Sequence, residues 1–149
     1  MKFFASLILI GALLFQAACS SGTIAQVAKA EAAVETSCNA GFTFVVQANA
    51  QGLISTPDAT AIVNVILKVE QANGQALTAT AAINNLSAAD QQNLLNVLNP
   101  IVAAVNTAVA SGTVGIKDQA TQQKTLLVLT TIQTAVNAAV TLIQLAKTS

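Results

Sequence analysis

Apolar residues recur at intervals of three and four positions after residue 23, which is the spacing typical of amphipathic helices. In the first such stretch four residues fall near one face: Ile24, Val27, Val34 and Cys38. The pattern predicts a helix that follows a Thr23 N-cap, is disturbed at Gly41, and ends at Gly52.

The second stretch opens with Thr56 as an expected N-cap, followed by Pro57 and Asp58 in the first turn. Polar residues then recur at four-three-four-three spacing, which indicates an outer face: Asn64, Lys68, Gln71, Gln75 and Thr78. The pattern predicts a helix that reaches about Asn85 and is weakened at Asn73–Gly74.

Two further helices are expected in the last third of the chain. Ser87 with Asp90 forms an acidic variant of the capping box, and an apolar seam follows: Leu94, Leu98, Ile101, Val105 and Ala108. Pro100 is expected to kink or divide this helix, and Gly112 to stop it. Asp118 falls in the expected first turn of a fourth helix, which runs to about Lys147.

Four helices with short connections predict an all-α, Ala-rich, up-down four-helix bundle. Several residues also recur 60 positions apart, for example Gly52 with Gly112 and Asp58 with Asp118. This recurrence suggests a duplicated helical hairpin. The match is poor inside the second and fourth helices, so chance similarity between Ala-rich helices is an equal alternative.

Residues 1–18 have the tripartite layout of a secretory signal peptide. Lys2 precedes an apolar run from Phe3 to Phe15, and small residues follow. A run of about 13 residues is short for a membrane span, which needs about 20. An uncleaved anchor or a buried N-terminal helix is the alternative.

The sequence Ala17-Ala18-Cys19 resembles the lipidation signal of bacterial lipoprotein precursors, although Gln16 departs from that pattern. The resemblance implies that Cys19 is lipidated and becomes the N-terminus, with 19–23 as a tether and 24–149 as the helical bundle domain. Ser20 then implies the outer membrane, facing the periplasm, in a Gram-negative host. In the alternative, the leader is cleaved near Ala17 or Ala18 in a secreted or periplasmic protein, and Cys19 is left as a free thiol or in a disulfide with Cys38.

The composition excludes several kinds of function. The chain is 54% hydrophobic but only 8% charged, with zero net charge and no histidine, tryptophan or tyrosine. There is therefore no electrostatic basis for binding nucleic acid. The commonest general base and metal ligand is also missing. We expect no enzyme activity, no cofactor, no metal site and no small-molecule substrate.

The acidic residues have structural interpretations. Glu31 and Glu35 lie one helical turn apart, which predicts a solvated face with mild repulsion. Asp58, Asp90 and Asp118 each fall at an expected helix start, where capping and the helix dipole explain them.

Residues 126–145 contain no charge over twenty positions, which is the length of a membrane span. A neutral polar stripe runs along them: Thr130, Thr134, Asn137, Thr141 and Gln144.

From the leader, the low charge and the expected bundle together, we expect a lipid-tethered structural or protein-interaction module of the cell envelope, which associates with a partner protein or with itself. The alternative is a membrane-inserting, pore-like or holin-like protein that uses the 94–145 helices. A carrier of apolar ligands is a lesser alternative.

Overall fold

A computed structural model describes residues 22–83, 86–111 and 116–146. Within these residues the chain forms four α-helices and no strand: α1 (Thr23–Ala50), α2 (Thr56–Ala81), α3 (Ala88–Ser111) and α4 (Gln119–Leu145). The signal peptide, Cys19, Gly112 and Lys147 of the sequence predictions lie outside the described residues.

The helices pack in the order α1–α2–α3–α4, and α4 closes the ring against α1. In the pairs α1–α2 and α3–α4 the two helices run antiparallel. Asn73, late in α2, bonds to Glu31, early in α1, whereas residues 51–55 join the opposite ends of these helices. Gln91, at the start of α3, donates to the backbone carbonyl of Ile143 near the end of α4. The predicted all-α, up-down four-helix bundle is confirmed.

The core follows a seven-residue repeat on each helix, which keeps one seam facing the bundle axis. On α1 the buried seam alternates steps of four and three: Val27, Glu31, Val34, Cys38, Gly41, Val45 and Ala48. On α2 the seam is Ala59, Ile62, Ile66, Val69, Asn73, Ala76 and Thr80. The seam predicted for α3 is buried throughout, and the polar stripes predicted for α2 and α4 are exposed.

Three predicted helix starts are displaced by one residue. Gly22, not Thr23, occupies the N-cap of α1, and it makes no side-chain capping bond. Ser55, not Thr56, caps α2, because the Ser55 hydroxyl accepts the Asp58 amide hydrogen. Asp118 is the N-cap of α4 rather than a first-turn residue, and its carboxylate accepts the Thr121 amide hydrogen at 2.7 Å.

The remaining ends agree more closely with prediction. Gly52 ends the α1 segment with a φ of 71°, a left-handed conformation that favours glycine. Ser87 and Asp90 form the expected capping box: each side chain accepts the other residue's amide hydrogen, both at 3.1 Å. α2 ends at Ala81, before the predicted Asn85, which lies outside the described residues.

The helices are not interrupted where the sequence predicted a disturbance. α1 continues through Gly41, because the glycine sits where neighbouring helices approach closely: a Cβ there would lie 2.7 Å from Val128 Cγ1. α2 continues through the exposed Gly74. Pro100 does not divide α3; the proline is exposed, so water can solvate the carbonyl that loses its helical hydrogen bond.

The predicted 60-residue recurrence coincides with the buried seams of α1 and α3. Five buried α1 positions map onto five buried α3 positions, with Cys38 matching Leu98 and Gly41 matching Ile101. Along α2 and α4 this offset fails at several core positions; the buried Ile66, for example, maps onto the exposed Leu126. The bundle repeat alone accounts for such partial agreement, so duplication stays a hypothesis.

Candidate functional site: a buried acid between the first two helices

All six acidic residues lie within the described part of the chain, and among them Glu31 alone is buried, with 0% of its surface exposed. Glu35, one turn further along α1, is exposed. The prediction of a solvated Glu31–Glu35 face is therefore wrong for Glu31. The physical reason is that Glu31 lies on the buried seam of α1 and Glu35 does not.

Two polar residues of α2 surround Glu31. The Thr80 hydroxyl donates a hydrogen bond to Glu31 Oε1 at 2.9 Å, and the Asn73 side-chain amide donates to the Glu31 backbone carbonyl at 2.8 Å. Asn73 and Thr80 are each 2% exposed. The three residues form a buried polar cluster between α1 and α2, which we call the Glu31 cluster.

Two acceptor atoms of the Glu31 cluster have no hydrogen-bond partner: Glu31 Oε2 and Asn73 Oδ1. A buried polar atom without a partner is costly, and a buried unpaired charge is more costly still. Burial accordingly raises the pKa of Glu31 to about 7, against the smaller opposing effect of the Thr80 hydrogen bond. The carboxyl group is therefore protonated in mildly acidic solution, where an exposed glutamate is ionised.

The sequence contains a signal for this cluster. Glu31, Asn73 and Thr80 each lie in step with the apolar residues that make up the seams of their helices. A polar residue at such a position is known to set register or oligomeric state in helical assemblies. The spacing of Glu31 from Glu35 does not reveal that Glu31 lies on the apolar seam. In the sequence, Asn73 stands out only as part of a weak point in the second helix.

Cys38 lies on the same seam and is a free, fully buried thiol. Burial, with a further contribution from the charge of Glu70, raises the pKa of Cys38 to about 12. The thiol is therefore protonated at physiological pH and is a poor nucleophile. Cys38 behaves as a small apolar core residue.

The position of Cys38 in α1 also limits its pairing with Cys19. Along the helix, Cys38 lies about 22 Å from Thr23, whereas the four residues from Cys19 to Thr23 span at most about 14 Å. A disulfide requires Cα atoms within about 7 Å. A Cys19–Cys38 bond within one chain would therefore require α1 to unwind.

Asp90 and Asp118 act as structural caps at the starts of α3 and α4. Hydrogen bonds from Ser87 hold the pKa of Asp90 below its usual value, and hydrogen bonds from Thr121 do the same for Asp118. Among the described residues no group of three or more histidine, cysteine or acidic side chains is arranged to hold a metal ion.

The surface of the bundle carries several exposed large apolar side chains, on α1, α2, α4 and the first loop: Phe42, Val46, Leu53, Leu67, Leu126, Leu127 and Leu145. Within the described ranges, two helices are long and apolar enough to cross a membrane by length and composition, over Ala88–Ala110 and Gln119–Leu145. Less than half of each apolar segment is buried inside the bundle.

Neither a family model, nor a curated protein, nor a solved structure matches this chain.

Proposed function

We propose that the protein is an exported lipoprotein of the bacterial envelope, anchored through lipidated Cys19, whose helical bundle holds a partner protein or a second copy of itself. The observation that carries the proposal is the junction at the N-terminus. α1 starts at Thr23, which is exposed and lies four residues after Cys19. An anchor at Cys19 would therefore keep the start of the bundle close to the membrane surface.

The burial of Cys38 supports the same interpretation. One alternative for Cys19, besides a free thiol, was a disulfide with Cys38, and this bond is out of reach while α1 is intact. Lipidation gives Cys19 a chemical role that does not require Cys38.

An interaction role is supported by the surface. The outer faces of α2 and α4 carry mainly neutral polar side chains, and in the described part of the chain seven large apolar side chains are also exposed. Low charge together with exposed apolar side chains is suited to partial burial in an assembly.

Intact-mass analysis of the protein from a bacterial membrane fraction tests the anchor. We expect a mass that begins at Cys19 and carries diacylglyceryl and acyl groups. Cys19→Ser should abolish the lipid modification, whereas Cys38→Ala should retain it on a chain that is lighter by one sulfur atom. A lipid-free mass two hydrogens lighter than the reduced chain from Cys19 would instead show the disulfide and contradict the proposal.

The oligomeric state of a leaderless Cys19→Ser form tests the interaction role. Light scattering should show self-association, or chemical cross-linking in cells should give a defined partner complex. A stable monomer that forms no complex in cells contradicts this part of the proposal.

A membrane-inserting function is the second candidate, and the two helices of spanning length favour it. In this case α3 and α4 would enter the bilayer as a hairpin. Carbonate extraction of the leaderless Cys19→Ser form separates the two candidates. A tethered bundle that has lost its lipid is washed from the membrane, whereas an inserted hairpin stays in the pellet.

A further inference from the structure

The Glu31 cluster lies at one end of the first hairpin. The loop at residues 51–55 joins α1 to α2 at the opposite end. Residues 23–37 of α1 and 73–81 of α2 form what we call the open end of this hairpin. No covalent connection holds the two helices together there, so their association depends on side-chain contacts.

We propose that Glu31 acts as a proton-operated latch. When protonated, it holds the open end of the first hairpin closed against Asn73 and Thr80; when ionised, it releases that end while the loop end stays packed. The proton leaves to solvent, and no other group needs to change. The proposal does not depend on lipidation of Cys19.

The geometry supports this proposal through the two unpartnered oxygens. Glu31 Oε2 and Asn73 Oδ1 are both acceptors, and both lack a donor. A proton on Oε2 turns this atom from an acceptor into a donor and removes the negative charge. Ionisation instead leaves a buried carboxylate whose hydrogen-bond partner is one neutral hydroxyl.

The helices that pack against Glu31 supply no compensating charge at this end. On α2, residues 71–81 contain no ionisable side chain, and on α4 none occurs in residues 125–145. Cys38, the other titratable group on the seam of α1, is neutral. Opening the helix pair is therefore the way for an ionised Glu31 to regain water.

Among the described residues, the charged side chains lie further along these helices or on their outer surfaces. Lys29 and Glu35 of α1 are exposed, and so is Lys68 of α2. Glu70 of α2 is half-buried, and its negative charge contributes to the raised pKa of Cys38. On α3, Asp90 is engaged by its own capping partner Ser87.

Hydrogen–deuterium exchange followed by mass spectrometry tests the latch on the protein as purified from cells. After correction for the intrinsic pH dependence of exchange, we expect the open end to exchange roughly 50-fold faster at pH 8 than at pH 5. The loop end and the α3–α4 hairpin should change little. Glu31→Gln should remove the acceleration, and Glu35→Gln, the matched control, should retain it.

Two results overturn the proposal: equal acceleration in all four helices, or the same acceleration in Glu31→Gln as in the native chain. If Glu31→Gln does not fold, infrared spectroscopy of the native chain still decides. A protonated carboxyl band should be present at pH 6, where exposed carboxyl groups are ionised, and should disappear by pH 8. Absence of this band at pH 6 also refutes the latch.

Discussion

The two helical hairpins of this bundle follow the same seven-residue repeat but fill it with different side chains. The seam of α3 is entirely aliphatic, with leucine and isoleucine where α1 has cysteine and glycine. The first hairpin buries Glu31, Ser37, Asn73 and Thr80. In the second, the buried polar side chains are Thr121 and Thr125 of α4, among the described residues.

This difference separates two sources of structural order. Large aliphatic side chains stabilise the second hairpin by removing apolar surface from water, without strict directional requirements. In the first hairpin, Gly41 permits close approach, and the hydrogen bonds of the Glu31 cluster add directional constraints to the apolar contacts. Such bonds discriminate against misaligned pairing, but their energetic contribution depends on every donor and acceptor being satisfied. The first hairpin should therefore be the more sensitive to polar substitutions and to pH.

The largest expected effect comes from truncating equivalent core positions. Leu98→Ala should lower the free energy of unfolding by about 3 kcal/mol, because it leaves a cavity in the aliphatic seam. Cys38→Ala, at the matching position of α1, removes only a sulfur atom and should cost about 1 kcal/mol. Urea denaturation followed by circular dichroism measures both. Equal losses would show that the two hairpins are stabilised in the same way.

Replacing a buried threonine by valine should affect the two hairpins differently. Thr80→Val removes the donor to Glu31 Oε1 and should cost about 2 kcal/mol. It should also raise the pKa of Glu31 further, because the Thr80 hydrogen bond lowers it. Denaturation at several pH values measures the first effect, and the infrared titration of the carboxyl group measures the second.

Thr125→Val provides the matched control in the second hairpin. The hydroxyl of Thr125 donates to the backbone carbonyl of Thr121 in its own helix, so no buried partner is left unsatisfied when it is removed. The stability should change by less than about 0.5 kcal/mol. A loss as large as that of Thr80→Val would contradict a special role for the Glu31 cluster.

Two glycines within the first hairpin should respond with opposite signs. Gly41→Ala places a Cβ against Val128 and Ile66 and should destabilise the bundle by about 1–2 kcal/mol. Gly74→Ala meets no atom within 4 Å and should stabilise it by about 0.5–1 kcal/mol through helix propensity. Thermal denaturation of the two variants is sufficient. Stabilisation by Gly41→Ala would show that the close packing around α1 is not needed.

The sequence predicted the helices well because their apolar spacing and capping residues are local properties. The seam of α3 and the Ser87–Asp90 box follow directly from residue order. Gly41 was misjudged because its role depends on Val128, which is distant in sequence. Glu31 was misjudged because charge favours exposure for an isolated residue, and only the seven-residue register together with Asn73 and Thr80 indicates burial.

The caps of α2 and α3 should have a smaller effect than the truncation of Leu98. Ser87→Ala removes a reciprocal capping box and should cost about 1 kcal/mol. Ser55→Ala removes a longer bond, 3.3 Å from the Asp58 amide nitrogen, and the bond from the Ser55 hydroxyl to the Asp58 carboxylate. It should cost less, because the capping bond to the backbone amide is longer than in the Ser87–Asp90 box. Urea denaturation at neutral pH measures both losses.

The dependence of stability on pH connects these caps to the Glu31 cluster. The folded-state pKa of Asp90 is lowered below its ordinary 3.8, so the stabilisation it provides is present above pH 3.8 and is lost as the pH falls through the lower folded value. Glu31 has the opposite sign. Its folded pKa of about 7 exceeds the ordinary 4.5, so its stabilisation is complete below pH 4.5 and is lost as the pH rises through about 7.

The free energy of unfolding should therefore fall on both sides of a mildly acidic maximum. Ser87→Ala should weaken the loss on the acid side, and Glu31→Gln should remove the part of the loss near neutral pH that Glu31 causes. A native profile that stays flat between pH 5 and 8 would show that Glu31 is not protonated in the folded bundle.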